Sequence, residues 1–128
     1  MLALVIDDSR TMRSIIRRIV TERGFDVVEA ADGLAALEVL ATSERVPDLA
    51  LVDWNMPVMD GLEFVRQVRN HKEWRAITLV MVTTESEHGQ VVRALAAGAH
   101  DYIIKPFTPD AVAEKLLWLG LGATEVST

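Results

Sequence analysis

Four short apolar runs in this chain each end in a residue type that does polar chemistry. Asp7-Asp8 follows Leu2-Ala3-Leu4-Val5-Ile6, Asp53 follows Leu49-Ala50-Leu51-Val52, Thr83 follows Leu79-Val80-Met81-Val82, and Lys105 follows Tyr102-Ile103-Ile104. Carboxylates brought close together repel and raise one another's pKa. A hard divalent cation relieves this, and Mg²⁺ works through one or two carboxylates plus phosphate oxygens and water. With such an ion in place, a further carboxylate is a nucleophile, and aspartate is an acceptor of phosphoryl groups. Phosphoryl transfer depends mostly on positioning and charge neutralisation. Lys105 offers a cation for that purpose and Thr83 a hydroxyl. Taken singly, each residue has an ordinary reading: an acidic pair after a strand starts a helix, Asp53 is a loop acid, Lys105 is solvated and Thr83 caps a strand. It is their joint placement that argues for one site.

The apolar runs themselves suit strands buried on both faces of a parallel sheet. Val27-Val28 and Tyr102-Ile103-Ile104 are shorter and flanked by charge, as edge strands are. Helical patterns alternate with these runs. Met12, Ile15, Ile16, Ile19 and Val20 make one apolar stripe, with Gly24 just past its end. A second helix is expected over about 33–41, with Leu34, Leu37 and Ala41 inward. A third starts at Asp60, with Glu63 reaching back to complete a capping box and Leu62 and Val65 inward. Val91, Val92 and Leu95 mark a fourth, with Gly89 inside it. Thr108-Pro109-Asp110 opens a fifth, lined by Val112, Leu116, Leu117 and Leu119. Strand and helix thus alternate five times, which gives a parallel sheet with helices on both faces. In such folds ligands bind beyond the carboxyl ends of the strands, where the acids, Thr83 and Lys105 fall.

A chain of 128 residues is one domain's worth, and it lacks cysteine, so thiol chemistry and disulfides are excluded. The net charge of −6 disfavours contact with nucleic acid. One basic cluster, Arg10, Arg13, Arg17, Arg18 and Arg23, reads as a solvated helix face, or as a docking patch for an acidic partner. No apolar run reaches the ~18 residues of a membrane span, and the acids after Ile6 do not suit a signal peptide. A cytoplasmic protein is expected. His71, His88 and His100 show no metal-ligand spacing and are expected at the surface; Trp74 and Trp118 are expected to pack, and Trp54 to border the site.

Val5-Ile6-Asp7-Asp8-Ser9, Val52-Asp53-Trp54-Asn55-Met56-Pro57-Val58-Met59-Asp60-Gly61 and Lys105-Pro106-Phe107 resemble the signature segments of response-regulator receiver domains. The resemblance covers nearly the whole chain. Trp54 and Asn55 after Asp53, Thr83 with Glu85 two residues on, and Tyr102 before the Lys105 segment are similar to the stand-alone chemotaxis members of that family. This implies a three-layer α/β/α sandwich around a flavodoxin-like five-stranded parallel sheet, order 2-1-3-4-5, with five helices. The receiver domain is expected over 1–120, followed by a tail over 121–128. Asp53 would be phosphorylated by a histidine kinase. Asp8, Asp53 and the backbone carbonyl of Asn55 would hold Mg²⁺, with Asp7 assisting through water. Lys105 and Thr83 would contact the phosphoryl group. Tyr102 would then turn inward and alter an output face of helix 4, strand 5 and helix 5, including Val91, Ile104 and Lys115, which a downstream protein reads. The Lys105-Pro106 bond is expected to be cis, and the protein a monomer with no separate substrate.

Two features depart from the family pattern: Thr84 stands where Ala or Gly is frequent, and Gly89 should loosen helix 4. Three other functions share parts of this pattern. A receiver cut from a longer regulator with a DNA-binding or enzymatic output shares all these motifs. An aspartyl-phosphate phosphatase places a second acid two residues after its nucleophile, where this chain has Ser9, Arg10 or Asn55. A flavin mononucleotide carrier needs a Ser/Thr/Gly-rich phosphate loop after strand 1, and Asp7-Asp8 would repel that phosphate.

Overall fold

The computed structural model describes residues 1–84 and 89–121. Glu85, His88 and the expected tail from Gly122 onward lie outside the described residues. The elements follow in the order β1 (Leu2–Ile6), α1 (Arg10–Glu22), β2 (Asp26–Ala30), α2 (Gly33–Thr42), β3 (Leu49–Asp53), α3 (Gly61–Arg69), a 3-10 turn (Lys72–Trp74), β4 (Thr78–Thr84), α4 (Val91–Ala97), β5 (Asp101–Lys105) and α5 (Pro109–Trp118). The strands form one parallel sheet, ordered β2-β1-β3-β4-β5, as the family resemblance implied. β1 and β3 are buried along their whole length, while β2 and β5 are partly exposed edges.

Side chains alternate across a strand, and this divides the core into two layers. Leu4, Ile6, Ala50, Val52, Leu79 and Met81 pack with Ala36, Leu40, Phe64, Val65 and Ala94, on the side of α2, α3 and α4. Ala3, Val5, Leu49, Leu51, Val80 and Val82 pack with Ile16, Ile19, Val20, Val112 and Leu116, on the side of α1 and α5. The alternation extends to the strand ends. Asp53 and Lys105 keep the parity of the α1/α5 side, whereas Thr83 and Tyr102 keep that of the α4 side.

Four helices begin with a side-chain cap: Ser9, Asp32, Asp60 and Thr108 each accept from a main-chain N–H three residues on. The Glu63 half of the expected capping box is used differently. Its carboxylate accepts from Gln67 at 2.9 Å and lies 3.9 Å from Arg66. α4 has seven residues and no side-chain cap, and Gly89 lies ahead of it rather than inside.

Several helices are rotated relative to the sequence expectation. In α1, Ile15 is exposed, flanking a groove with Phe107 and Pro109, while Ile16, Ile19 and Val20 are buried. In α2 the buried residues are Gly33, Ala36 and Leu40, so Leu34 and Ala41 face solvent, while Leu37 is half-buried against the core as expected. The cause is a close approach at Gly33, where an added Cβ would fall 2.8 Å from the Met59 side chain. In α4 the buried pair is Val91 and Ala94, and Val92 is exposed. In α5 Leu117 is half exposed, and Trp118, expected to pack, is 82% exposed. Trp74 is buried as expected, with its ring 4.2 Å from that of His71. His100 does more than sit at the surface. Its Nδ1 accepts from the Leu79 N–H at 3.1 Å and lies 3.1 Å from the Arg69 guanidinium. Burial, and then the Arg69 charge, keep its pKa below the ordinary value.

The Lys105-Pro106 bond is cis. Val58 has φ 69°, in a tight turn closed by the Met59 N–H and the Pro57 carbonyl at 2.7 Å. A β-branched residue is strained there, by roughly 1–3 kcal/mol. Its side chain is 77% exposed and gains little from packing. Val58→Gly should therefore stabilise the fold by about 1 kcal/mol, after the ~0.4–1 kcal/mol that glycine adds to unfolded-chain entropy. Urea denaturation checks this, and a lowered midpoint would refute it.

Candidate functional site

The carboxyl ends of β1, β3, β4 and β5 form one edge of the sheet, and the predicted polar residues meet there. Register explains part of this. Asp53 is level with Val82, so Thr83 stands one residue beyond it, and Thr84 is level with Lys105. Asp7 follows the last residue of β1, its N–H bonded to the Ala30 carbonyl of β2 at 3.2 Å.

Asp7 and Asp53 are 1% and 5% exposed, so two carboxylates are nearly out of water. Asp8 is exposed at the rim. Carboxylate oxygens of Asp7, Asp8 and Asp53 all lie within 4.8 Å of one another. Lys105 reaches into this group, with Nζ 3.1 Å from Asp53 Oδ1 and 3.7 Å from Asp7 Oδ2. Asp7 Oδ1 accepts from the Ser9 N–H at 2.8 Å, whereas the buried Oδ2 has no hydrogen-bond partner among the described residues. Burial and then the Asp7 charge push the Asp53 carboxyl up to about 6, against the pull of Lys105 and a hydrogen bond from the Asn55 main chain.

Close backbone approach keeps this corner tight. An added Cβ on Gly61 would lie 2.8 Å from the Asp53 carbonyl and 2.7 Å from the Met81 side chain, so only glycine lets the start of α3 sit against the end of β3. Its N–H donates to the Trp54 carbonyl at 3.0 Å. The Trp54 ring belongs to the buried core on the α2/α3/α4 side, although its backbone adjoins Asp53.

Thr83 is 1% exposed, and its hydroxyl lies 3.4 Å from the Thr84 carbonyl. Of the expected output residues, Tyr102 is half-buried against the α4-side core. Lys115 Nζ lies 5.3 Å from the centre of its ring and 3.0 Å from Asp101 Oδ1. Ile104 is half-buried. Val91 requires a correction: at 4% exposure it faces the core, and Val92 (70%) and Leu95 (39%) form the open face of α4.

The basic cluster is in part the expected solvated face, with Arg10, Arg17 and Arg18 exposed, but it also carries an ion-pair link. Arg13 and Arg17 both pair with Glu29 of β2, and Arg13 further donates to the Asp7 carbonyl at 2.7 Å. The sequence offered no signal for this link, because Arg13 and Glu29 are 16 positions apart on different elements.

The donor set fits Mg²⁺: three clustered carboxylates, one with a buried oxygen lacking a hydrogen bond, form a hard, anionic oxygen site. In metal-free protein the sign of the Asp53 shift sets a pH dependence. The folded state holds the proton more tightly than the unfolded chain, whose value is 3.8. That contribution to stability is complete below pH 3.8 and is lost as pH rises through about 6. Asp53→Asn removes the carboxylate. The variant should be more stable than wild type at pH 7 by on the order of 1–3 kcal/mol, and the gain should shrink toward pH 4. Denaturation in chelator across this range tests it, and a difference that does not vary with pH would rule it out.

Residues 3–117 match the response regulator receiver domain family. The chain is 48% identical over 124 residues to a CheY chemotaxis protein homolog of Campylobacter jejuni, covering 95% of each chain. It is 45% identical over 114 residues to chemotaxis protein CheY1 of Helicobacter pylori, covering 88% of this chain and 91% of the relative. Among solved structures, chemotaxis response regulator CheY4 of Vibrio cholerae aligns with a TM-score of 0.83 at 32% identity, covering 92% of this chain and 97% of that one. With this sheet order and this acid-and-lysine corner on the same 3–117 span, the chain belongs to the response-regulator receiver domain family.

Proposed function

We propose that this protein is a chemotaxis-type phospho-switch in which Asp53 accepts a phosphoryl group from the phosphohistidine of a histidine kinase. The observation that carries this reading is the approach of Lys105 Nζ to within 3.1 Å of Asp53 Oδ1, in a corner with two further aspartates. The Asp53 carboxylate attacks phosphorus. The bond to the histidine nitrogen breaks, and an acyl phosphate remains on Asp53. Lys105 faces the oxygens that gain charge, and burial of the corner strengthens that attraction. Asp8, Asp53 and the Asn55 carbonyl would hold Mg²⁺, with Asp7 behind them through water. Bound there, the ion supplies positive charge for the phosphoryl oxygens. Hydrolysis of the acyl phosphate is assigned to the same corner, with Thr84 at its edge restricting the approach of water. No second substrate is involved, so the protein is a switch rather than an enzyme with turnover.

The output is proposed to run through Thr83 and Tyr102, which share the α4 side of the sheet. Phosphorylation draws Lys105 and the Thr83 hydroxyl toward Asp53. Tyr102 then moves inward, and the face of α4, β5 and α5 changes for a downstream protein. The exposed Val92 and Leu95, with Ile104 and Lys115, form that face, while Val91 supports it from below. α4 suits rearrangement, being short and without a side-chain cap. The Campylobacter relative, named a chemotaxis protein homolog and aligned over 95% of each chain, supports the chemotaxis-type reading. A cytoplasmic location and a monomeric state are part of the same proposal.

Acetyl phosphate with Mg²⁺ should add one phosphoryl group to the wild type and none to Asp53→Asn, as read by intact mass. Full labelling of the variant would exclude Asp53 as the acceptor. Thr83→Ala should stay largely phosphorylatable but bind its partner about tenfold more weakly, the scale of one buried hydrogen bond. Equal affinity with both proteins fully phosphorylated would show that the coupling bypasses this hydroxyl.

A further inference from the structure

The Asp7 main chain is held on both sides by groups that are not themselves part of the carboxylate cluster. Its N–H goes to the Ala30 carbonyl at the end of β2, at 3.2 Å. Its carbonyl, beyond β1 and ahead of the α1 cap at Ser9, accepts from the Arg13 guanidinium at 2.7 Å. The same guanidinium donates through Nε to Glu29 Oε1 at 3.1 Å. Glu29 in turn takes the Arg17 guanidinium on its other oxygen. The Arg17 hydrogen bond, with Arg13 behind it, holds the Glu29 carboxyl below its ordinary pKa, so Glu29 stays ionised as the anchor. The Arg13 side chain is only 17% exposed, so this is a shielded pair rather than a loose surface one.

The Asp7 carbonyl belongs to the peptide unit that joins Asp7 to Asp8. Its orientation sets where the Asp8 side chain leaves the backbone and, with the Ser9 N–H on Oδ1, where Asp7 Oδ2 is aimed. Three carboxylates within 4.8 Å push one another apart, and beyond the Asp7 N–H the chain has left the β1–β2 ladder. Some restraint must therefore keep the acid pair turned toward Asp53. We propose that Arg13, anchored by Glu29, is the positioning residue for the divalent-cation site, fixing the Asp7-Asp8 peptide so that both acids face Asp53. This rests on the reading of those three aspartates as a Mg²⁺ site. Partners that orient metal ligands typically contribute 10–100-fold in affinity.

The direction of the effect separates positioning from charge. Removing a nearby cation by itself strengthens binding of Mg²⁺, whereas losing the restraint weakens it. Arg13→Lys keeps the charge but lacks the fork needed to hold Glu29 and the Asp7 carbonyl together. The full chain is titrated with MgCl₂ by calorimetry well below each variant's melting temperature, with Asp8→Ala as the reference for a lost ligand. Arg13→Lys and Arg13→Gln should each bind Mg²⁺ about tenfold more weakly. Glu29→Gln should weaken it severalfold, and the double variant Arg13→Gln/Glu29→Gln should be no worse than Arg13→Gln alone. Affinities within twofold of wild type in Arg13→Lys and Glu29→Gln, or tighter binding by Arg13→Gln, would overturn the assignment while leaving the metal site in place. If Asp8→Ala also binds as wild type does, the metal site and the inference fall together.

Discussion

Lys105 carries its ammonium into a corner where two nearly buried carboxylates already face each other, 3.1 Å from Asp53 Oδ1 and 3.7 Å from Asp7 Oδ2. The rest of the site depends on this unbalanced charge. One lysine cannot neutralise Asp7, Asp8 and Asp53, and the buried Asp7 Oδ2 gains only the longer of its two contacts. The corner is thus built to accept more positive charge. It also holds an aspartate whose proton affinity is raised by burial. A charge imbalance in low dielectric is a strong lever, since small movements of Lys105 or of a phosphoryl group change the energy steeply.

The alternation of side chains across the sheet places the two halves of the proposed switch on opposite sides. Asp53 and Lys105 share the α1/α5 side; Thr83 and Tyr102 share the α4 side, Thr83 one residue beyond the level of Asp53 on β4 and Tyr102 earlier on β5, level with Met81. A rearrangement at Asp53 needs only to cross the thickness of the sheet to reach the helix on the other side. That helix, α4, is the one without a side-chain cap, while α1, α2, α3 and α5 are each tied at their start. Two arrangements separated by a few kcal/mol are sufficient for a ligand or modification to shift the balance. Tyr102, held between the core and the Lys115 ammonium, lies where those arrangements would differ.

On the α1 side, charges serve the opposite purpose. The Arg13–Glu29–Arg17 chain ties α1 to β2 across the β1 end. A run of arginines that suggests a solvated or docking face is in part a brace through Arg13 and Arg17, while Arg10, Arg17 and Arg18 are all exposed on that helix.

The local sequence determined the elements and the membership of the site. Apolar runs of strand length ending in Asp, Asp, Thr and Lys fix which residues reach the carboxyl edge of a parallel sheet, because period-2 burial and right-handed crossovers leave few other arrangements. Asp60 and Thr108 cap their helices as the sequence reads, because caps are set within three residues. What the sequence did not decide is how each helix is turned about its axis. Ile15, Leu34, Val92 and Leu117 are apolar and fit the periodicity, yet face outward. Close approaches at Gly33 and Gly61, and the volume left by neighbouring side chains, choose among nearly equivalent stripes. The link from Arg13 to Glu29 and the Asp7 carbonyl was likewise set by the fold alone. It joins residues on a helix, a neighbouring strand and the end of another strand, whose proximity exists only after β1 and β2 have paired.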